Sequence, residues 1–156
     1  MVPSRIDVTR YAQLKQEIER LVGEINGQFT QPGWIPIYYM YRPLSRDELL
    51  AYYRCSDIAL VTPMKDGMNL VAKEFCACTL DNDGVLILSE FAGSAVELAS
   101  GALIVNPFDR KGTARAIHAA FTMGQEERQQ RMQRMRQAVR FNDVYRWINA
   151  FVEAAS

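Results

Sequence analysis

Three short runs constrain this chain more than any other feature: Ile58–Val61, Val85-Leu86-Ile87-Leu88 and Leu103-Ile104-Val105. Each is apolar almost throughout, without the in-and-out alternation of a strand that shows one face to water. Such strands need cover on both faces, which is how the strands of a parallel sheet wound with helices read. Helical patterns separate them, at about 69–78 and 94–99, and Asp81-Asn82-Asp83-Gly84 marks a turn between two elements. The expected fold is therefore α/β, a Rossmann-like parallel sheet with flanking helices. Ligands in such sheets sit at the carboxyl ends of the strands. The loops after Val61, Leu88 and Val105 are the places to search.

The flanks fit the same picture. Apolar residues Tyr11, Leu14, Ile18, Leu21, Val22 and Ile25 recur at helical spacing, and Asn26-Gly27 reads as the stop of that helix. Residues 34–41, rich in β-branched and aromatic side chains, read as a strand. Ser45 with Glu48 three residues on is a capping box for a helix through Tyr52 and Tyr53. From Asp109 onward the pattern is helical, with a break at Gly124 and a long amphipathic helix to the C-terminus. No linker or repeat divides the 156 residues, which reads as a single domain, 1–156.

Composition excludes some functions. Lys+Arg and Asp+Glu both number 18, and a general nucleic-acid binder would need a basic excess. The arginines from Arg128 to Arg140 are diluted by Glu126, Glu127 and Asp143, and read as a solvated helix face. No apolar run approaches the roughly 20 residues that span a bilayer, so no membrane role is expected. Cys55, Cys76 and Cys78 read as reduced thiols of a cytoplasmic protein. A metal site would want further ligands, and the one histidine, His118, has no acid or nucleophile beside it.

The loop after Val61 carries the chemistry. It reads Thr62-Pro63-Met64-Lys65-Asp66-Gly67-Met68-Asn69 and opens a helix that contains Leu70, Val71 and Glu74. A glycine turn feeding a helix start aims backbone N–H groups into the crevice. Together with about half a unit of positive charge at the helix end, they make an anion site. Asp66 precedes the helix and Glu74 lies about two turns along it, so both can face the loop. Fixed carboxylates suit sugar hydroxyls, and one bidentate carboxylate suits a ribose diol. On spacing alone, Asp66 is equally readable as a turn residue and Glu74 as a solvated one.

Taken together, several stretches resemble the trehalose-6-phosphate synthase family: Pro3-Ser4-Arg5-Ile6-Asp7-Val8, Gly33-Trp34, residues 57–74, residues 85–93, Val105-Asn106-Pro107 and Asn142-Asp143. The block Asp66-Gly67-Met68-Asn69-Leu70-Val71-Ala72-Lys73-Glu74 is close to a fingerprint. The resemblance implies a retaining transfer of glucose from UDP-glucose, or another NDP-glucose, to a sugar phosphate such as glucose 6-phosphate, with no metal. It implies a fold of two Rossmann-like domains, of which this chain is a partial C-terminal, nucleotide-sugar-binding one. Asp66 then matches the catalytic-site residue that holds glucose hydroxyls. Gly67, Met68, Asn69, Leu70 and Val71 line the donor, Glu74 takes the ribose, and Leu44 and Leu49 flank the base. Arg5 matches the arginine that grips the acceptor phosphate, which a guanidinium can do with two parallel hydrogen bonds.

Two parts of the family pattern do not occur in the sequence: an arginine–lysine clamp on the diphosphate and the N-terminal domain. Each charge-assisted contact of such a clamp is worth about 1.5–3 kcal/mol, so the chain alone is expected to be almost silent in catalysis. A sheet cut short would expose an edge, through which two copies could pair as a homodimer. Glu74-Phe75-Cys76 and Ser89-Glu90-Phe91 also resemble glucosylglycerol-phosphate synthases, which leaves the acceptor open. The alternative in a different class is a non-catalytic module that retains nucleotide or sugar-phosphate binding.

Overall fold

The structure, a computed structural model, describes residues 9–155. The chain divides into two compact units, Met1–Glu48 and Leu49–Ser156.

In the first unit, α1 (Thr9–Phe29) continues past Asn26-Gly27. The expected stop fails because the Asn26 side chain is engaged elsewhere. Its amide takes the N–H of Ile37 at 3.0 Å and donates to the Ile37 carbonyl at 2.9 Å. That pairing also explains why residues 34–41 form no strand. Pro36 has no N–H to give to a ladder, and the backbone of Ile37 is already satisfied by a side chain. Only an isolated antiparallel bridge between Gln31 and Trp34 remains, around Gly33 with φ of 80°.

The capping box forms as expected at the start of α2 (Arg46–Cys55). The Ser45 N–H donates to Glu48 Oε2 at 2.9 Å, and the Glu48 N–H donates to Ser45 Oγ at 3.3 Å. Arg42 adds a contact to Glu48 Oε1 at 2.7 Å. The Arg42 guanidinium first, then the Ser45 N–H, bring the Glu48 carboxyl down to about 2.

The second unit holds a parallel sheet in the order β1 (Ile58–Val61), β2 (Val85–Ser89), β3 (Leu103–Val105). Leu60 is level with Ile87, and Leu88 with Ile104. Helices α3 (Leu70–Cys78) and α4 (Ala95–Leu98) make the two crossovers, and α5 (Arg110–Thr122) and α6 (Gln125–Phe141) follow. The long C-terminal helix is present as α6. Asn142-Asp143 separates it from α7 (Val144–Ala155), whose start is fixed by Asp143 Oδ1 accepting from the Arg146 N–H.

All five residues of β2 are buried, and its pleat divides the core into two layers. Leu86 and Leu88 pack with Ala72, Phe75 and Cys76 of α3, Leu98 of α4, and Met132 and Met135 of α6. Val85 and Ile87 pack on the opposite side with Val105 and Ala120 of α5. Helices thus cover both faces, the arrangement that the unbroken apolar runs call for. Cys76 is a core residue whose thiol burial pushes up to about 12, and all three cysteines are free. Among the described residues, no helix is long and apolar enough to cross a membrane.

Candidate functional site

Because the sheet is parallel, the carboxyl ends of β1 and β2 bring their following loops together. The Asp66 N–H donates to the Phe91 carbonyl at 3.2 Å, and the Gly93 N–H donates to the Asp66 carbonyl at 2.9 Å. This two-point backbone tie extends the sheet by one step beyond the strands, as a parallel bridge between Asp66 and Ala92. It demands a glycine at 93. A Cβ there would stand 2.0 Å from the Gly67 carbonyl oxygen.

Asp66, half-buried, organises the turn that follows. Its Oδ1 accepts from the N–H groups of Met68 at 3.2 Å and Asn69 at 3.1 Å, and its Oδ2 accepts from Asn69 Nδ2 at 2.9 Å. Asn69 adopts the left-handed conformation, φ 62°, which asparagine tolerates better than most residues. From there its Oδ1 caps α3 by accepting from the Ala72 N–H at 3.0 Å. After this network is complete, the N–H groups of Gly67, Leu70 and Val71 have no protein acceptor among the described residues. They lie at the start of a helix, where donors and the helix dipole both favour an anion.

Glu74 is exposed on α3, and its Oε2 accepts from the Tyr53 hydroxyl of α2 at 3.0 Å. Burial, and then this bond to a carboxylate, raise the Tyr53 phenol above its ordinary value of 10.0. Among the described residues, the second Glu74 oxygen has no hydrogen-bond donor to compete with a ligand. Met68, Leu70 and Val71 are 44%, 55% and 47% exposed, a run of uncovered apolar side chains where a helix enters the domain. Met68 and Leu70 line a cavity of about 530 Å³ together with Lys73, Glu97, the 142–144 turn and Arg146.

The structure therefore brings seven of the expected site residues into one loop and helix: Asp66, Gly67, Met68, Asn69, Leu70, Val71 and Glu74. Leu49 is half-buried on α2 in the same unit. Leu44, also half-buried, belongs to the first unit. Arg5 lies outside the described residues. Sequence reasoning overlooked Lys73, Glu97 and Arg146 as parts of the cavity wall. Lys73 stood inside the fingerprint block, but its partner is 24 positions away and no spacing rule connects them. Among the described residues, no group of three His, Cys, Asp or Glu side chains could hold a metal ion.

The sequence profile of glycosyltransferase family 20 matches residues 1–156. The chain belongs to that family, whose members include the trehalose-6-phosphate synthases. It is 48% identical over 152 residues to a bifunctional trehalose-6-phosphate synthase/phosphatase of Thermoproteus tenax, covering 97% of this chain and 21% of the relative. Among solved structures, an E. coli protein of this group bound with UDP-2-fluoro glucose superposes with a TM-score of 0.91 at 45% identity, covering 97% of this chain and 34% of that one. The α,α-trehalose-phosphate synthase (UDP-forming) of Burkholderia xenovorans, in complex with glucose-6-phosphate, gives a TM-score of 0.91 at 42% identity over 98% of this chain and 34% of that one. The chain thus spans about a third or less of the proteins it matches, and over that span the fold is the same.

Proposed function

We propose that this chain is the donor-binding part of a retaining glycosyltransferase that moves glucose from UDP-glucose to a sugar phosphate, glucose 6-phosphate being the favoured acceptor and trehalose 6-phosphate the product. The observation that carries the reading is the open start of α3. Among the described residues three N–H groups there are unclaimed, Asp66 stands before them, and Glu74 follows about one turn into α3. These are the groups a nucleotide diphosphate sugar requires, in the order a donor would meet them. The family relatives bound with UDP-2-fluoro glucose and with glucose-6-phosphate support both substrate classes.

In this reading the Gly67, Leu70 and Val71 N–H groups receive diphosphate oxygens. As the bond from the sugar to the diphosphate breaks, negative charge gathers on those oxygens, and donors already fixed in place stabilise it without reorganising. Asp66 has three of its roughly four lone-pair sites taken by its own turn and presents the one left on Oδ2 to a glucose hydroxyl. Glu74 receives the ribose diol while Tyr53 holds one of its oxygens. Leu49 flanks the base, and the family resemblance assigns the acceptor phosphate to Arg5. Backbone donors and the helix dipole are what the start of α3 offers the diphosphate, and the family resemblance implies no metal. The chain supplies part of the donor contacts, without a charged clamp on the diphosphate, and turnover by it alone is expected to be negligible.

Calorimetric titration with UDP tests the reading. Weak saturable binding that Glu74→Ala abolishes is the expected result. If the intact chain takes up no UDP, the loop is a structural element and not a donor site.

A further inference from the structure

The segment from Asp66 to Lys73 meets the segment from Phe91 to Glu97 at three points. Two are the backbone bonds between Asp66 and the Phe91 and Gly93 positions. The third is an ion pair, in which Lys73 Nζ donates to both oxygens of Glu97, at 2.8 and 3.0 Å. The two side chains are only 17% and 29% exposed, and they line the cavity that Met68 and Leu70 also line.

An ion pair this far out of water contributes little net stability compared with two apolar side chains of similar size, because desolvation offsets the attraction. What it can supply is direction. The two backbone bonds fix where Asp66 sits, and the buried Ala72, Phe75 and Cys76 fix which face of α3 enters the core, so what is left to the partly exposed side chains is the fine roll of the outer face. Successive helix residues point about 100° apart. Holding Lys73 toward α4 therefore turns Glu74 away from it, to the side where Tyr53 donates at 3.0 Å. Two consecutive residues are thus tied to two different helices, and together they leave α3 one roll angle.

We infer that Lys73 and Glu97 are positioning residues of the donor site: their pair sets the fine roll of α3, and with it the aim of the Glu74 carboxylate and the placement of the Leu70 and Val71 N–H groups. This rests on the donor reading above. The pair touches no reacting atom. It acts through Glu74 and the helix start.

The test uses the whole chain in three forms: unchanged, Lys73→Arg, and the apolar double variant Lys73→Met with Glu97→Leu. Thermal midpoint, UDP affinity measured well below that midpoint, and amide hydrogen exchange across residues 66–74 are read for each. The double variant is expected to keep its midpoint, bind UDP about tenfold more weakly, the equivalent of one lost charge-assisted contact, and exchange faster across 66–74. Lys73→Arg, which keeps the charge and can still reach, is expected to bind as the unchanged chain does. Unaltered affinity and exchange in the double variant would overturn the proposal, as would an affinity loss that only tracks a lowered midpoint. If the unchanged chain itself takes up no UDP, the donor reading fails, and exchange across 66–74 alone decides whether the pair fixes the helix.

Discussion

The two ends of α3 are built in opposite ways. At its C-terminal end the carbonyls of Phe75, Cys78, Thr79 and Leu80 are all claimed. The Thr79 N–H and hydroxyl both donate to the Phe75 carbonyl, at 3.0 and 2.8 Å. Arg54 reaches the Cys78 carbonyl at 3.1 Å, and Arg136 reaches the Thr79 and Leu80 carbonyls and Asn82 Oδ1 at 2.9, 2.7 and 2.9 Å. Gly84 packs so closely on Phe75 and Thr79 that a Cβ there would stand 2.8 Å from the Phe75 ring. At the N-terminal end one aspartate and one asparagine shape the turn and then stop, leaving three donors and three apolar side chains uncovered. Both ends carry polar loops of similar length, so composition does not separate them. A helix end tied down by side chains and backbone belongs to the fold, whereas one left open is available to a ligand.

The strongest way to break that contrast is at the open end. Gly93→Ala places a Cβ against the Gly67 carbonyl, so the two loops must part. Overpacking of this kind costs about 3 kcal/mol, measurable by urea unfolding, and UDP binding is expected to disappear from calorimetry. Arg136→Ala strikes the closed end. Losing bonds to part-buried and exposed acceptors is expected to cost about 1 kcal/mol in the same unfolding experiment while UDP affinity stays as it was. Equal loss of affinity in both variants would mean that the two ends are not independent. Asn69→Ala removes the cap of α3 and should cost about 1 kcal/mol with a several-fold weaker UDP affinity. Asn69→Gly, which accepts a positive φ readily, should lose only a few tenths of that unit.

The smallest effect concerns α2, which carries Tyr53 to Glu74. The Glu48 carboxyl titrates near 2 instead of 4.5, held down by Arg42 first and then by the Ser45 N–H. A depressed value stabilises the folded state fully above about pH 4.5, and that contribution is lost as pH falls toward 2. Glu48→Gln should therefore flatten the acid limb of a stability–pH curve between those values, lower stability slightly at neutral pH, and leave stability below about pH 2 nearly unchanged. Carbon-detected titration of the Glu48 carboxyl checks the same point directly.

The contrast also explains what was legible in the sequence. The three apolar runs, the capping box at Ser45 and Glu48 and the helix from Leu70 are local statements, and each forms where the pattern places it. The 34–41 strand and the Asn26 stop fail together because one asparagine side chain, 11 positions away, takes both polar groups of Ile37. The loop after Val61 was legible as a glycine turn before a helix, and the roles proposed for its residues came from family resemblance. Its tie to Phe91 and Gly93 runs through backbone atoms, which no side-chain pattern records, except that Gly93 must be glycine. The pair of Lys73 with Glu97 was invisible for a different reason: two charges 24 residues apart carry no signal until the sheet brings their helices together.

The most direct test of the open-end account is an amide proton–nitrogen spectrum of the labelled chain, recorded as UDP is added. The largest shifts are expected at Gly67, Leu70 and Val71, with a smaller one at Asn69 and none across residues 79–82. Shifts centred on residues 79–82, or spread evenly with none at the start of α3, would contradict it.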